Sequence, residues 1–250
     1  MKAQVIADHK GDLFQQGAAA AGYRLVDMFD DYYPKKEDIL IAWNRKPSNI
    51  ERINRYEAVG ARVIIAENGY IGKADDGSKL IAMALSHHLG AGRWHVGAER
   101  RHLKQNFEIL PWRKPGDEIV ILAQRGIGES KDLAWSIQLQ QQIRAVTKRP
   151  VRVRAHPGKS HEPVEPDIVN AHAVVTWASA AAIKAIAFGV PAFYMMPSWI
   201  GAAAAVQGIN KIEEPFRGDR EYMFHRLGWS QWTPDEVRSG EPFKYLGALE

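Results

Sequence analysis

Short, nearly unbroken apolar runs recur along this chain: "ILIAW" at 39–43, "RVIIA" at 62–66, "IVIL" at 119–122 and "AVVT" at 173–176. Runs this short, rich in β-branched residues and lacking polar alternation, are strands buried on both faces, and such strands belong to parallel sheets covered by helices. The segments between them carry helical patterns. "AQVIAD" is followed by "GDLFQQGAAAAGY", which Gly22 can end, and "YRLVD" resumes as a strand. Then "SNIERINRYEAVG", with Ser48 as its expected cap and Gly60 at its end, separates two of the apolar runs. A βαβαβ order of this kind predicts an α/β fold with a mostly parallel sheet.

Past residue 90 the rhythm breaks, and "NFEILPWRKPGDE" places two prolines and a glycine ahead of the next strand. A boundary near Pro115 is expected there, with domains at 1–114 and 115–250. The second half repeats the logic, with strands at "EIVILAQ", "VRVRAH", "AVVTW" and "VPAFYM" and a first helix from Ser130 to about Val146. Helical pieces at "REYMFHRLGW" and "TPDEVRSG" are assigned to the second domain. The expected architecture is two Rossmann-like parallel-sheet units with a cleft between them, because ligands in such sheets sit outside the carboxyl ends of strands.

With 250 residues, 46% of them hydrophobic, there is material for real cores. No run approaches the roughly 18–20 apolar residues that span a bilayer, and "MKAQVIADHKGD" lacks a signal-peptide core, so a cytoplasmic protein without membrane attachment is expected. The absence of cysteine removes disulfides, thiolate nucleophiles and cysteine zinc sites. The net charge of +4 is mild, but "GRWHVGAERRHLKQ" gathers Arg93, Arg100, Arg101 and Lys104 around Trp94 against Glu99 alone. That stretch reads as either a solvated face or a surface that meets phosphates.

Three strand ends carry candidate chemistry. In "LAQRGIGES", Gln124, Arg125, Gly126 and Gly128 precede a helix expected to be capped by Ser130, a setting in which glycines let backbone approach a phosphate and Arg125 donates to it. The motif lacks the Lys-Ser/Thr of a P-loop and the spacing of a dinucleotide fingerprint. "RAHPGKS" adds Arg154, His156, Pro157 and Lys159, and "TWASAAAIKAIAFGVP" adds a Ser179 cap and small residues from Ala180 onward that leave helix-start N–H groups open. Together they predict one pocket for a diphosphate.

The order "HP", then "VVTWASAAAIKAIAFGVPAF", resembles the donor-binding half of GT-B glycosyltransferases and related nucleotide-sugar epimerases over residues 118–195. In that family this half binds the nucleotide of an activated sugar, usually without an essential metal. The resemblance therefore implies a nucleoside-diphosphate sugar, a UDP-sugar foremost, as co-substrate, no required cofactor or metal, and an acceptor-side N-terminal domain. Where many relatives place a glutamate that holds the ribose, this helix has Lys184. The ending "GWSQWTPDEVRSGEPFKYL" is similar to the C-terminal ends of bacteriophage proteins, which together with the first likeness suggests a phage DNA glycosyltransferase acting on a hydroxymethylated base. On that reading double-stranded DNA is the partner, met by Arg45, Lys46, Arg93, Trp94, Arg100 and Arg101.

A hydroxyl acceptor must lose a proton as it attacks the anomeric carbon. The N-terminal strand ends offer Glu67, which heads "ENGYIG", then His87 or His88 in "LSHHLGAGRW", then Asp8. Adjacent histidines on a helix point about 100° apart, and the lack of cysteine and of an HExxH pattern argues against a zinc hydrolase. The competing readings are a nucleotide-sugar epimerase or hydrolase, and a non-catalytic DNA-binding protein on a GT-B-like frame.

Overall fold

The computed structural model describes residues 1–7, 10–127, 130–158, 160 and 162–249. In chain order the elements are β1 (Lys2–Ile6), α1 (Gly11–Ala20), β2 (Arg24–Val26), β3 (Ile39–Trp43), α2 (Ile50–Ala58), β4 (Arg62–Asn68) and β5 (Ile81–Leu85). There follow β6 (Glu118–Leu122), α3 (Leu133–Val146), β7 (Val151–Arg154), α4 (Glu165–Ile168), β8 (Ala171–Thr176), α5 (Ala180–Ala187), β9 (Ala192–Tyr194) and β10 (Ala205–Gln207). The chain closes with α6 (Arg220–Gly228), β11 (Gln231–Trp232), α7 (Pro234–Arg238) and α8 (Glu241–Gly247). Two compact units result, Met1–Asn106 with His225–Glu250, and Phe107–Phe224.

The first unit holds a six-stranded sheet in the order β11-β5-β4-β3-β1-β2. Strands β2, β1, β3 and β4 are parallel, while β5 runs antiparallel to β4 and β11 antiparallel to β5. Alternation within β4 feeds both faces. Ile64 and Ala66 join Phe14, Phe243 and Leu246 on the α1 side, and Val63 and Ile65 join Ile53 and Tyr56 on the α2 side. Burial on both faces is why these strands read as continuous apolar runs, each large side chain contributing about 1.5–3 kcal/mol.

The expected boundary fails at the C-terminus. Residues from His225 onward belong to the first unit rather than to a 115–250 domain. Two physical reasons are visible. Strand β11 pairs with β5, covering an edge that would otherwise present open backbone groups. Helices α7 and α8 place Val237, Phe243 and Leu246 in the α1-side core. The contact is close enough that a Cβ on Gly17 would lie 2.0 Å from the Val237 carbonyl and 2.5 Å from the Phe243 ring, so α1 needs glycine there.

The second unit holds five parallel strands in the order β10-β9-β8-β6-β7. Ile119, Ile121, Val175 and Phe193 pack with Leu139 and Ile143 of α3 on one face. Ala182, Ile183 and Ile186 of α5 are buried. Among the described residues, no helix is long and apolar enough to cross a membrane.

Candidate functional site

In the second unit the chain goes from β6 through α3 to β7 on one side, then returns past β6 to β8 and continues outward to β9 and β10. The direction of winding reverses between β6 and β8. In open parallel sheets ligands bind outside the carboxyl ends of the strands at such a reversal. Polar side chains stitch the two strand ends together. Gln124 Oε1 accepts from the Ala178 N–H at 3.0 Å, and Thr176 Oγ1 donates to the Leu122 carbonyl at 3.2 Å while accepting from Ser179 N at 3.0 Å.

Helix α5 starts at this point. Ser179, in an extended conformation, caps it by accepting from Ala181 N at 3.2 Å, as expected, and Ala180 opens the first turn. A neutral cap leaves the positive end of the helix available to an anion. Helix α3 differs from its expectation. It begins at Leu133, and its cap is Asp132, whose carboxylate accepts from Trp135 N at 3.0 Å. Ser130 instead lies outside the helix, its N–H donating to the Ile127 carbonyl. Gly126 has φ +71°, and a Cβ there would lie 3.1 Å from Asp132 Cβ, so the glycine serves a left-handed turn packed against the Asp132 backbone. A negative cap opposes a phosphate at the same helix end, which moves the favourable anion position from α3 to α5.

Of the other expected donor residues, Arg125 is exposed beside Gly126, and Gly128 and Lys159 lie outside the described residues. Arg154 is committed inward: its guanidinium pairs with Asp167 and donates to the Glu162 and Pro163 carbonyls at 3.2 and 3.1 Å. His156 Nδ1 accepts from Gly158 N at 3.0 Å and the Pro157 carbonyl accepts from Ser160 Oγ at 2.8 Å, a closed turn after β7, one strand beyond β6 from β8. Lys184 is exposed in the second turn of α5.

Sequence reasoning passed over the aromatic wall here. Trp177, the first residue after β8, meets Trp135 edge-on at 5.6 Å between centroids, and the Lys131 ammonium lies 4.9 Å from its ring centroid. Its indole Nε1 is buried with no hydrogen-bond partner among the described residues. The signal was its place as a large aromatic directly after a buried run, at the end of β8.

In the first unit Glu67 lies near the carboxyl end of β4, beside Ala82 of β5. The residue keeps some exposure, but its carboxylate is enclosed and accepts on Oε1 from Tyr70 Oη and from the Leu89 N–H, both at 2.6 Å. Burial pushes the carboxyl up to about 7 against those two hydrogen bonds, which pull it down. Burial and the Glu67 charge raise the Tyr70 hydroxyl well above its ordinary range. The loop from Ser86 to Gly92 contains Ser86 at φ 72° and Leu89 at φ 58°, conformations that side chains resist. The bond from Leu89 to Glu67 holds that loop in place. The same loop carries His87, half-buried, and His88, buried. Asp8 lies outside the described residues.

Three of the six side chains expected to meet DNA are engaged inside the unit. Arg45 forms a bidentate pair with Glu57 at 2.7 and 2.9 Å and donates to the Ser86 carbonyl at 2.8 Å. Trp94 donates to the Arg226 carbonyl at 3.0 Å and packs on the α1-side core. Arg101 pairs with Glu236 at 2.7 Å and stacks over Trp232 at 4.3 Å. Lys46 is half-buried and begins a 3-10 turn over Pro47–Asn49, its N–H donating to Asn49 Oδ1 at 2.9 Å; Arg93 and Arg100 are exposed. That 3-10 turn also displaces the expected Ser48 cap, since α2 starts at Ile50.

Among the described residues, no group of three or more metal-ligating side chains comes together. No family model matches the chain, and no curated protein matches it. Among solved structures, the chain is similar over 97% of its length to 99% of the Thermosulfurimonas dismutans KpsC beta Kdo 2,7 transferase, with a TM-score of 0.56 at 13% identity. It is similar over 91% of its length to 90% of the Thermosulfurimonas dismutans KpsC beta Kdo 2,4 transferase, with a TM-score of 0.54 at 12% identity. The likeness is one of fold: two parallel-sheet α/β units in the glycosyltransferase manner, as the alternation of strands and helices led one to expect.

Proposed function

We propose that this chain is a glycosyltransferase that takes a nucleotide-activated sugar at the carboxyl ends of β6 and β8 and passes the sugar to a hydroxyl acceptor. What carries the reading is the winding reversal of the second unit, where the Gln124–Ala178 bond and the neutral Ser179 cap set the start of α5 beside the ends of β6 and β8. The likeness in fold to two Kdo transferases supports a sugar as the group moved. Arg125 and the α5 start would take the phosphate charge, and Trp177 would border the nucleoside. Glu67 is the side chain best tuned to accept the acceptor's proton, because a carboxylate with a value near 7 is half ionised at neutral pH. A hydroxymethylated DNA base as acceptor draws less support, since Arg45, Trp94 and Arg101 are spent on internal contacts.

The test is thermal melting of the full chain with UMP, CMP, UDP, GDP and their sugars, followed by mass analysis of products with and without hydroxyl acceptors. At least one nucleotide should raise the melting temperature by several degrees at saturation, and Arg125→Ala should remove most of that shift. If none of them moves the transition, the reading fails. Free sugar appearing without an acceptor, or a stereoisomer of the donor, would replace transfer by hydrolysis or epimerisation.

A further inference from the structure

Two consecutive residues of the Ser86–Gly92 loop, Leu89 at φ 58° and Gly90 at φ 74°, turn their backbone toward one spot in the first unit. Their N–H groups have different targets there. Leu89 donates to Glu67 Oε1 at 2.6 Å, and Gly90 donates to the Tyr70 hydroxyl. A backbone N–H can only donate, so the Tyr70 oxygen accepts on that side and its own proton is left for Glu67 Oε1, 2.6 Å away. The direction of each bond in the set is thereby fixed. Tyr70 is itself anchored, since it is buried and its N–H and that of Ile71 donate to the Gln231 side chain of β11 at 2.5 and 3.2 Å. The strand that closes the sheet edge therefore also holds the phenol in place.

The consequence falls on the other oxygen of the carboxylate. Oε1 receives two donors, while Oε2 accepts from none of the described groups. An ionised carboxylate has about four lone-pair sites, so the unused capacity sits on Oε2, on a residue that keeps some exposure. Burial by itself would keep this carboxyl protonated, and the two donors on Oε1 are what favour the ionised form. The neighbour on β5 is the apolar Ala82, and His87 and His88 ride in the same loop as Leu89. Among the described residues, no charged side chain adds a pull of its own on the carboxyl.

The structure assigns Tyr70 as the positioning residue of Glu67: it pins Oε1 without touching the acceptor and leaves Oε2 as the atom that takes the acceptor's proton. In that step the acceptor O–H bond breaks, the proton goes to Oε2 and the oxygen bonds the anomeric carbon. The bond from sugar to phosphate breaks at the same centre, its electron pair leaving on the nucleotide. A side chain locked by contacts beyond the reacting atoms is what holds a proton acceptor in one geometry. The part Tyr70 plays in transfer rests on the proposed glycosyl transfer; its hold on Glu67 does not.

The test labels the full chain with glutamate carrying carbon-13 at the side-chain carboxyl and follows the Glu67 signal, assigned by its loss in Glu67→Gln, against pH by NMR. Tyr70→Phe keeps the ring and removes one donor, so the midpoint should rise by about one pH unit. A tyrosine that only fills space would leave it unmoved. In the parent, the Tyr70 hydroxyl proton should give a slowly exchanging resonance that shifts with the same midpoint, a measurement that needs no variant. In the transfer assay the rising limb of the pH–rate profile should move with the midpoint, so that kcat at pH 7 falls about fivefold in Tyr70→Phe while KM for the nucleotide sugar stays within about twofold. An unmoved or lowered midpoint, a fast-exchanging Tyr70 hydroxyl in the parent, or a rate limb that stays put while the midpoint moves would each overturn the assignment. A midpoint that rises in a chain that transfers no sugar would sink the transferase reading and leave the hold of Tyr70 on Glu67 standing.

Discussion

On the proposed reading, a single carboxylate at Glu67 would do two jobs whose pH dependences oppose each other. As a proton acceptor it must be ionised, so transfer should rise with pH through about 7 and level off above it, and Glu67→Gln should lower the rate by roughly 10²–10⁴-fold. As a buried group it is held protonated to higher pH in the folded chain than in the unfolded one. Its stabilising contribution is therefore complete below the ordinary glutamate range and is lost as pH rises through about 7. Glu67→Gln keeps an acceptor for Tyr70 and Leu89 but cannot ionise. It should melt several degrees above the parent at pH 8.5 and within about one degree at pH 4.5, checked by paired melts across that range. An offset independent of pH would mean that the carboxylate is not enclosed. Glu67 was legible as an acid at a strand end, but Tyr70 was not, because its ring returns to the carboxylate through an irregular turn. Arg101 misled for the same kind of reason: its partners Gly228, Gln231 and Glu236 lie far along the chain.

Among elements, the starts of α3 and α5 show how one residue decides what a helix end can hold. Asp132→Ala should cost about 1 kcal/mol in urea unfolding, while Asp132→Asn should cost little because the amide oxygen still caps. Strand β11 makes a comparable point for the first unit. The buried Gln231 side chain accepts from Tyr70 N at 2.5 Å and Ile71 N at 3.2 Å, and donates to the Ile71 carbonyl and Gln105 Oε1, both at 3.1 Å. Gln231→Leu strips partners from several buried polar groups and should destabilise by about 3 kcal/mol or more by the same measurement. The apolar runs announced β3, β4, β6 and β8 because burial on both faces writes itself into composition. Strand β5 went unassigned although all of "IAMAL" is buried, and β11 is only Gln231–Trp232, held by its partner strand rather than by its own pattern.

For the molecule as a whole, the winding reversals were not legible, since the sequence orders strands along the chain and only their pairing sets β1 between β2 and β3 and β6 between β7 and β8. The domain boundary was legible only on the N-terminal side. Prolines near Pro115 mark one transition, close to the change of unit after Asn106, whereas the return at His225 falls within the continuous helix α6 and leaves no break in composition. A fragment of residues 107–224 should therefore give a cooperative urea transition by circular dichroism, whereas 1–114 should not, because it lacks Trp232, Val237, Phe243 and Leu246 of its core. Adding residues 225–250 as a separate peptide should restore part of that transition.

The return of the chain to its first unit also orders events at the ribosome. The second unit can close as soon as α6 has begun to emerge, yet the first, though synthesised earlier, waits with an open sheet edge and an uncovered apolar face until β11, α7 and α8 have left the exit tunnel. Of the two units, the one begun first is thus the one finished last, and translation stalled between α6 and α8 would strand the nascent protein in its stickiest form.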